Sequence, residues 1–186
     1  MTLYYWDTCM FLEKLRGEKP GLEKVKAREL ILQENAAKKN VICTSAITRV
    51  EAFPSKLVDG AVEKEAQFNA MFDAKKIYDI DVSPPILQLA RHIRDFYYRI
   101  PRNDGKEWVM DTGDAIHLAT AISQDVDEFH TRDNSTKKGN VPLLTLKDLT
   151  ATGQVANQWS LKIVSPETTQ RELDVDVEEN GDDGEE

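Results

Sequence analysis

The chain has 186 residues, enough for one domain with a substantial core and too few for a comfortable second domain. Its composition, 40% hydrophobic and 31% charged, is that of an ordinary globular protein, and it excludes a run of the roughly 18 apolar residues that span a membrane. The formal net charge of -9 comes from residues 172–186, which hold nine acids and no base. Residues 1–171 carry 24 acids against 24 bases, so the body is neither strongly basic nor repellent to nucleic acid.

The N-terminal residues and the cysteines indicate the compartment. Residues 1–7 lack the basic region and small-residue cleavage site of a signal peptide, which predicts a cytoplasmic protein. Cys9 and Cys43 are too far apart for a CxxC motif and too few for a disulfide framework. We therefore expect two reduced thiols that pack as small hydrophobic groups.

Secondary structure is predicted from hydrophobic periodicity. The continuous apolar and aromatic run of residues 3–6, bounded by Asp7, is typical of a central strand buried on both faces. Helical spacing follows over residues 8–16. Further strands are predicted over 41–44, 76–82, 128–132 and 159–164, and further helices over 21–39, 45–53, 60–75, 85–98 and 112–125. Residues 101–105 are predicted to be a turn-rich loop, and residues 142–146 a short strand or extended piece.

This order of elements predicts the fold. Strands that alternate with helices imply right-handed crossovers and an α/β fold, a doubly wound and mostly parallel sheet with helices on both faces. The folded domain is predicted to span residues 1–166. Residues 167–186 have few apolar side chains to bury and are predicted to be an acidic, disordered tail.

Four acids are predicted to meet at one edge of this sheet. Asp7, Glu51 and Asp133 lie at or just beyond the C-terminal ends of predicted strands, and Asp114 lies in the first turn of a helix. Sites in such sheets form outside the carboxyl ends of the strands. Carboxylates packed together repel one another and raise each other's pKa unless a cation neutralises them.

An oxygen-rich site with few histidines and no cysteine ligand favours Mg²⁺ or Mn²⁺ over zinc. One ion, or two roughly 3.5–4 Å apart, can hold a scissile phosphate and lower the pKa of a bound water, which predicts metal-assisted phosphodiester hydrolysis. Asp7 and Asp114 are predicted to bind the metal directly, and Glu51 and Asp133 either directly or through water.

Each acid also has a purely structural interpretation. Asp7 can cap the helix that follows it, and Asp111 is interpreted as the cap of a later helix, with a place at the edge of the site as the alternative. Glu51, three residues after Thr48, can complete a capping box. Asp133 can be an ordinary turn residue, and Asp114 suits the N-terminus of its helix electrostatically. All four structural interpretations together are less economical than one shared site.

One histidine and two basic segments are further candidates. His117 lies three residues after Asp114 on the same helix face, where it is a candidate ligand or general base, or else a buried histidine satisfied by a neighbour. Arg91 and Arg94, close to two tyrosines, can bind a phosphate backbone beside stacked bases, or form a solvated helix face. Residues 137–138, Lys137 and Lys138, are placed to approach an RNA substrate if their loop lies near the pocket.

Four segments, in this order, resemble the motifs of PIN-domain nucleases, particularly the VapC-like toxin ribonucleases. They are Tyr4–Thr8, Thr44–Glu51, Gly113–Ala121 and Thr131–Asp133. Each motif is weak alone, but the set spans residues 3 to about 166 with the order and spacing of the family.

The resemblance implies a doubly wound sheet, an acidic pocket for one or two divalent cations, and endonucleolytic cleavage of RNA. The family's acidic residues and the hydroxyl residues beside its metal site match Asp7, Glu51, Asp114 and Asp133, and Thr8 and Thr131. An antitoxin protein is the implied partner, with pairing into a homodimer left open.

Several features depart from the family pattern. The chain is longer than a typical toxin of this type, Pro54 shortens the helix of Glu51, residues 134–158 look inserted, and the tail is acidic. A toxin and a housekeeping nuclease therefore both stay open. The alternative from another class is a non-catalytic PIN-fold module that binds RNA or protein.

Two other phosphate-handling folds are excluded. A haloacid-dehalogenase-type phosphatase needs a second Asp two residues after the first, where this chain has Cys9. A receiver-type domain needs a Lys after the last strand, where Ser165 and Pro166 stand.

Overall fold

The computed structural model describes residues 1–17, 21–53, 61–73, 76–98, 100–101, 107–134, 140–146 and 159–167. The predictions made for Pro54, Lys137 and Lys138 lie outside the described residues, as do those for nearly all of the acidic tail.

The described strands are β1 (Thr2–Trp6), β2 (Asn40–Ser45), β3 (Ile77–Ile80), β4 (Ile100–Pro101), β5 (Glu107–Trp108), β6 (Glu128–His130) and β7 (Ile163–Val164). Five of them form one sheet in the order β3-β2-β1-β6-β7. Every pairing in this sheet is parallel. The central place of β1 confirms the interpretation of its apolar sequence.

The described helices are α1 (Thr8–Arg16), α2 (Leu22–Ala36), α3 (Ile47–Glu51), α4 (Ala61–Phe72), α5 (Pro84–Phe96) and α6 (Thr112–Ser123). Gly17 ends α1 at a φ of 66°, and its N–H bonds to the carbonyl oxygens of Glu13 and Lys14. No helix within the described residues is long and apolar enough to cross a bilayer.

Alternation along β1 divides the core into two halves. Tyr4 and Trp6 pack on one face of the sheet with residues of α1, α2 and α4 such as Phe11. Tyr5 packs on the other face with residues of α5 and α6 such as Ile93. Successive strand residues point to opposite faces, so one aromatic run supplies both layers. The predicted doubly wound α/β fold is therefore confirmed.

One local prediction was wrong, and another lies largely outside the described residues. Of the segment predicted as a turn-rich loop, Pro101 is described and ends β4, which pairs antiparallel with β5 outside the main sheet. The stretch predicted as extended forms a 3₁₀ helix over Leu143–Thr145. The buried side chains of Leu143 and Leu146 are three residues apart, a helical spacing that brings both into the core.

Candidate active site

The carboxyl ends of β1 and β6 place two loops side by side. The N–H of Asp7, directly after β1, donates to the carbonyl of His130, the last residue of β6, at 3.0 Å. Thr131 and Asp133 follow on the β6 side. The parallel register therefore brings segments more than 120 residues apart in sequence to one edge.

Asp7 is 6% exposed and surrounded by donors of the protein. Its Oδ1 accepts from the N–H of Thr8 at 2.6 Å, so Asp7 does cap α1. Its Oδ2 accepts from Thr131 Oγ1 at 2.7 Å and from Cys9 Sγ at 3.1 Å. The two interpretations of Asp7 are compatible, because a capping carboxylate at this strand end also faces the sheet edge.

Glu51, the last residue of α3, turns its carboxylate toward the same edge. Its Oε2 accepts from Thr8 Oγ1 and lies 2.9 Å from His117 Nε2. The predicted capping box with Thr48 was wrong, because α3 begins after Ala46 and its N-cap makes no side-chain hydrogen bond.

Gly113 makes room for this carboxylate. A Cβ at Gly113 would overlap Glu51 Oε1 and lie 3.2 Å from Asp111 Oδ1. The glycine is helical, so its role is the close approach of a side chain rather than an unusual backbone angle. Sequence reasoning missed this contact, although a glycine beside two acids at a helix start was the available signal.

His117 is fully buried at the centre of these groups. Its Nδ1 lies 2.7 Å from Tyr5 Oη, and its Nε2 lies 2.9 Å from Glu51 Oε2 and 3.8 Å from Asp7 Oδ1. Burial alone would lower the pKa of His117, but its hydrogen bond to the accepting carboxylate of Glu51 and the charges of Asp7, Glu51 and Asp114 together raise it. Two carboxylates from different elements thus reach one imidazole nitrogen.

Asp111 and Asp114 begin α6. Asp111 Oδ1 accepts from the N–H of Gly113 at 2.8 Å, which confirms its interpretation as a cap. Burial, followed by the charges of Asp7, Asp111 and Asp133, raises the pKa of Asp114 to about 8. Asp114 is therefore electrostatically coupled to acids from both neighbouring loops.

Asp133 lies on the β6 side of the edge and has a structural bond of its own. Its N–H donates to Thr131 Oγ1 at 3.0 Å, and its Oδ2 accepts from the N–H of Leu143 at 3.0 Å. This carboxylate therefore anchors the 3₁₀ helix, and its interpretation as an ordinary turn residue stays untested because most of the segment that follows lies outside the described residues. Its charge still acts on Asp114.

Arg132, which sequence reasoning missed, fixes the loop that carries Thr131 and Asp133. Its Nε donates to Glu13 Oε2 at 2.9 Å, and one terminal nitrogen donates to Ser165 Oγ at 2.7 Å and to the carbonyl of Pro166. Side chains alternate along an extended segment, so Arg132 points away from the side chains of Thr131 and Asp133. This alternation was the available signal that Arg132 has a different role.

The donor set fits a hard divalent cation by charge and chemistry. Its ligating atoms are carboxylate and hydroxyl oxygens, and a cation beside Asp114 would favour the ionised form that burial disfavours. Within the described ranges, no three Asp, Glu, His or Cys side chains are already spaced to hold a metal ion. Oδ2 of Asp7 and Oδ2 of Asp133 each accept hydrogen bonds from the protein, and each carboxylate keeps further lone pairs, so binding requires the acids to move closer together rather than to give up these bonds.

The predicted RNA-binding arginines lie on α5. Arg91 and Arg94 line a surface groove together with Tyr98 and Met110. Arg94 Nε donates to the carbonyl of Met110 at 3.3 Å, and Met110 immediately precedes Asp111. The groove therefore begins beside the N-terminus of α6, where the acids meet.

The parallel sheet order, the helices on both faces and the acidic carboxyl edge define a PIN-like α/β fold. The solved structure of VapBC2 from Rickettsia felis, bound to a DNA fragment from their promoter, shares this fold with a TM-score of 0.54. That match is 16% identical in sequence and covers 75% of this chain and 96% of the other. The VapC-like resemblance is confirmed as a likeness of fold.

Two further solved structures are similar at lower scores. A toxin-antitoxin complex from Klebsiella pneumoniae has a TM-score of 0.42 and 21% identity, covering 76% of this chain and 96% of that one. VapC20 from Mycobacterium tuberculosis, a Sarcin-Ricin loop cleaving toxin, has a TM-score of 0.46 and 13% identity, covering 68% and 86%. No protein-family model matches the chain, and no curated protein matches it.

Proposed function

We propose that this chain is a metal-dependent endoribonuclease that hydrolyses RNA phosphodiester bonds at the acidic edge. The observation that carries the proposal is the convergence of acids from separate segments at one edge of the sheet, where Asp7 bonds to Thr131 next to Asp133 and Glu51 lies 2.9 Å from His117 of α6. Partly buried acids that repel one another are costly without a function that uses them, and a phosphodiesterase that binds a cation does use them.

Asp7 and Asp114 are proposed to hold Mg²⁺ or Mn²⁺ directly, with Glu51 and Asp133 binding directly or through water. One or two bound ions would polarise the scissile phosphate and lower the pKa of the attacking water. The protein's own part is orientation: Thr131 holds Asp7 Oδ2, and Thr8 holds Glu51 Oε2. Water-poor surroundings strengthen each of these interactions.

The groove of Arg91 and Arg94 is proposed to bind the RNA backbone on its way to the site. Tyr98 is 56% exposed in that groove and offers a surface on which a base can stack. Lys137 and Lys138 stay predictions, because their loop lies outside the described residues.

We further propose that the chain is the toxin of a toxin-antitoxin pair with an antitoxin protein as partner. The shared fold with VapBC2 of Rickettsia felis supports this proposal. Pairing into a homodimer and a cytoplasmic location stay predictions from the sequence.

One observation favours a second candidate, a non-catalytic module with the same fold. The described acids are not spaced to hold an ion without adjustment, and Asp7 and Asp133 accept hydrogen bonds from the protein. A module that binds RNA or protein would need no such adjustment.

A cleavage assay separates the two functions. Mixed RNAs incubated with Mg²⁺, with Mn²⁺ or with a chelator should be cut only when the metal is present, and Asp7→Asn and Asp114→Asn should abolish cutting. Asp125→Asn is the matched control, because Asp125 is exposed at the opposite end of α6 and its φ of 50° suits Asn. Binding of RNA without cleavage at any metal concentration would favour the second candidate.

A further inference from the structure

A continuous hydrogen-bonded chain crosses the buried side of the site. It begins at the N–H of Ser45, which donates to Tyr5 Oη at 2.9 Å. Tyr5 Oη lies 2.7 Å from His117 Nδ1, and His117 Nε2 lies 2.9 Å from Glu51 Oε2. Tyr5, Ser45 and His117 are fully buried, so solvent does not share the bonds among these three residues, whereas the Glu51 side chain at the end of the chain is 27% exposed.

Chemistry fixes the donor at the Glu51 end of this chain. An ionised carboxylate can only accept, so a proton on Nε2 of His117 points to Glu51 Oε2, and Thr8 Oγ1 lies 3.1 Å from the same nitrogen. At the other end, the N–H of Ser45 occupies one lone pair of Tyr5 Oη, and the phenol can donate to His117 Nδ1 or accept from it.

These hydrogen bonds give the two oxygens of Glu51 different surroundings. Oε2 is held inside by His117 and Thr8, whereas Oε1 fills the space beside Gly113 at the start of α6. The carboxylate cannot rotate without breaking its bonds to His117 and Thr8, and these bonds hold Oε1 on the side of Gly113 and Asp111.

We propose that Tyr5 and His117 are positioning residues: the phenol holds the imidazole in place, and the proton on Nε2 orients Glu51 for metal binding. This inference rests on the proposed function for the metal. Hydrogen bonds to a ligating group commonly change metal affinity 10- to 100-fold. The bond to Nε2 exists whether His117 is neutral or charged, so the inference does not depend on its titration.

The test compares two substitutions at one position. The amide nitrogen of Gln reaches the place of Nε2 and can donate to Glu51, whereas the amide of Asn reaches only the place of Nδ1. Mn²⁺ binding is measured without RNA by isothermal titration calorimetry. We expect His117→Gln to bind Mn²⁺ within about threefold of the wild type, and His117→Asn and Tyr5→Phe to bind roughly 10-fold more weakly.

Two outcomes would overturn the inference while leaving the proposed function intact. The first is equal Mn²⁺ affinity in the Gln and Asn variants, which would show that His117 acts only through packing and not through a hydrogen bond to Glu51. The second is a loss on His117→Asn that is just as large in a Glu51→Gln background. If the wild type binds no Mn²⁺, the proposed function and the inference fail together; Mn²⁺ binding without RNA cleavage counts only against the function.

A measurement on the unaltered protein covers the case in which a variant does not fold. Nitrogen-15 chemical shifts of the imidazole ring report which nitrogen carries a proton. We expect the proton on Nε2 of His117 in the wild type. A ring with Nδ1 protonated and Nε2 bare would overturn the inference without any substitution.

Discussion

Thr131 Oγ1 donates to Asp7 Oδ2 at 2.7 Å across 124 positions of sequence. The same hydroxyl accepts from the N–H of Asp133 at 3.0 Å. One buried threonine thus joins the loops after β1 and β6 and orients two of the acids. The contribution of these two hydrogen bonds to the free energy of unfolding can be measured directly.

Thr131→Val keeps the shape of the side chain and removes the hydroxyl. A buried carboxylate loses a donor and a backbone N–H loses its acceptor, so we expect unfolding to become easier by about 1–3 kcal/mol. Urea denaturation measures this change. Thr131→Ser, which keeps the hydroxyl and removes the methyl group, should lose clearly less. A Thr131→Val variant as stable as the wild type would show that the hydrogen bonds of this hydroxyl do not stabilise the fold.

Gly113→Ala should separate activity from stability. A methyl group at Gly113 displaces Glu51 Oε1, the end of a flexible side chain, while alanine favours the helix by about 1 kcal/mol over glycine. We expect the melting temperature to hold or rise, and RNA cleavage to fall by about 10- to 100-fold because a ligand is misplaced. Unchanged cleavage would mean that the position of Glu51 is not important for the reaction.

The main features of the fold could be read from local sequence. Residues 3–6 are apolar throughout because both faces of β1 are covered, and helices alternate with strands because parallel strands need crossovers. Leu143–Thr145 was misread because two leucines in a short apolar run fit either period, and the deciding bond comes from Asp133, ten residues away.

The site was less accessible to sequence reasoning. The acids could be placed at one edge because each follows a predicted strand or begins a helix. The partner of His117 could not be predicted, because Tyr5 lies 112 residues away in sequence. Which face of the sheet the Tyr5 side chain points to depends on how the helices pack. Arg132 escaped notice for the same reason, because its partners lie on α1 and after β7.

A buried ion pair behind the site should be far more important for stability than an exposed one nearby. Glu13 accepts from Arg28 at 2.7 Å and from Arg132 at 2.9 Å, and the side chains of Glu13 and Arg28 are only 4% and 5% exposed. Glu13→Ala leaves Arg28 paired only with the more exposed Glu29 and leaves Arg132 with neutral acceptors, so we expect a loss of about 3–5 kcal/mol. The measurement is chemical denaturation of the metal-free protein.

Lys14→Ala is the matched comparison, because the ion pair of Lys14 with Glu29 has side chains 33% and 37% exposed. Water screens that pair, and we expect a loss of no more than about 1 kcal/mol. Similar losses for Glu13→Ala and Lys14→Ala would show that burial does not set the strength of these pairs.

The raised pKa of Asp114 predicts how the stability of the metal-free protein depends on pH. The pKa rises from its ordinary value to about 8 on folding, so folding favours the protonated carboxyl. This contribution to stability is complete below the unfolded pKa and is lost as pH rises through about 8. Between these values the metal-free wild type should lose stability that Asp114→Asn retains, and melting curves at several pH values measure the difference.

Asp114→Asn should therefore melt at a higher temperature than the wild type at pH 8 in a chelator, by roughly 2–4 °C for each kcal/mol retained. Asp125→Asn, at the exposed end of α6, should leave the wild-type pH dependence unchanged. Mg²⁺ should reverse the order at pH 8, because a bound cation stabilises the ionised carboxylate of the wild type and has less to bind in the Asn variant. If the Asn variant follows the wild-type pH curve, Asp114 does not carry the charge repulsion of the site, and the claim that the acids act together would have to be abandoned.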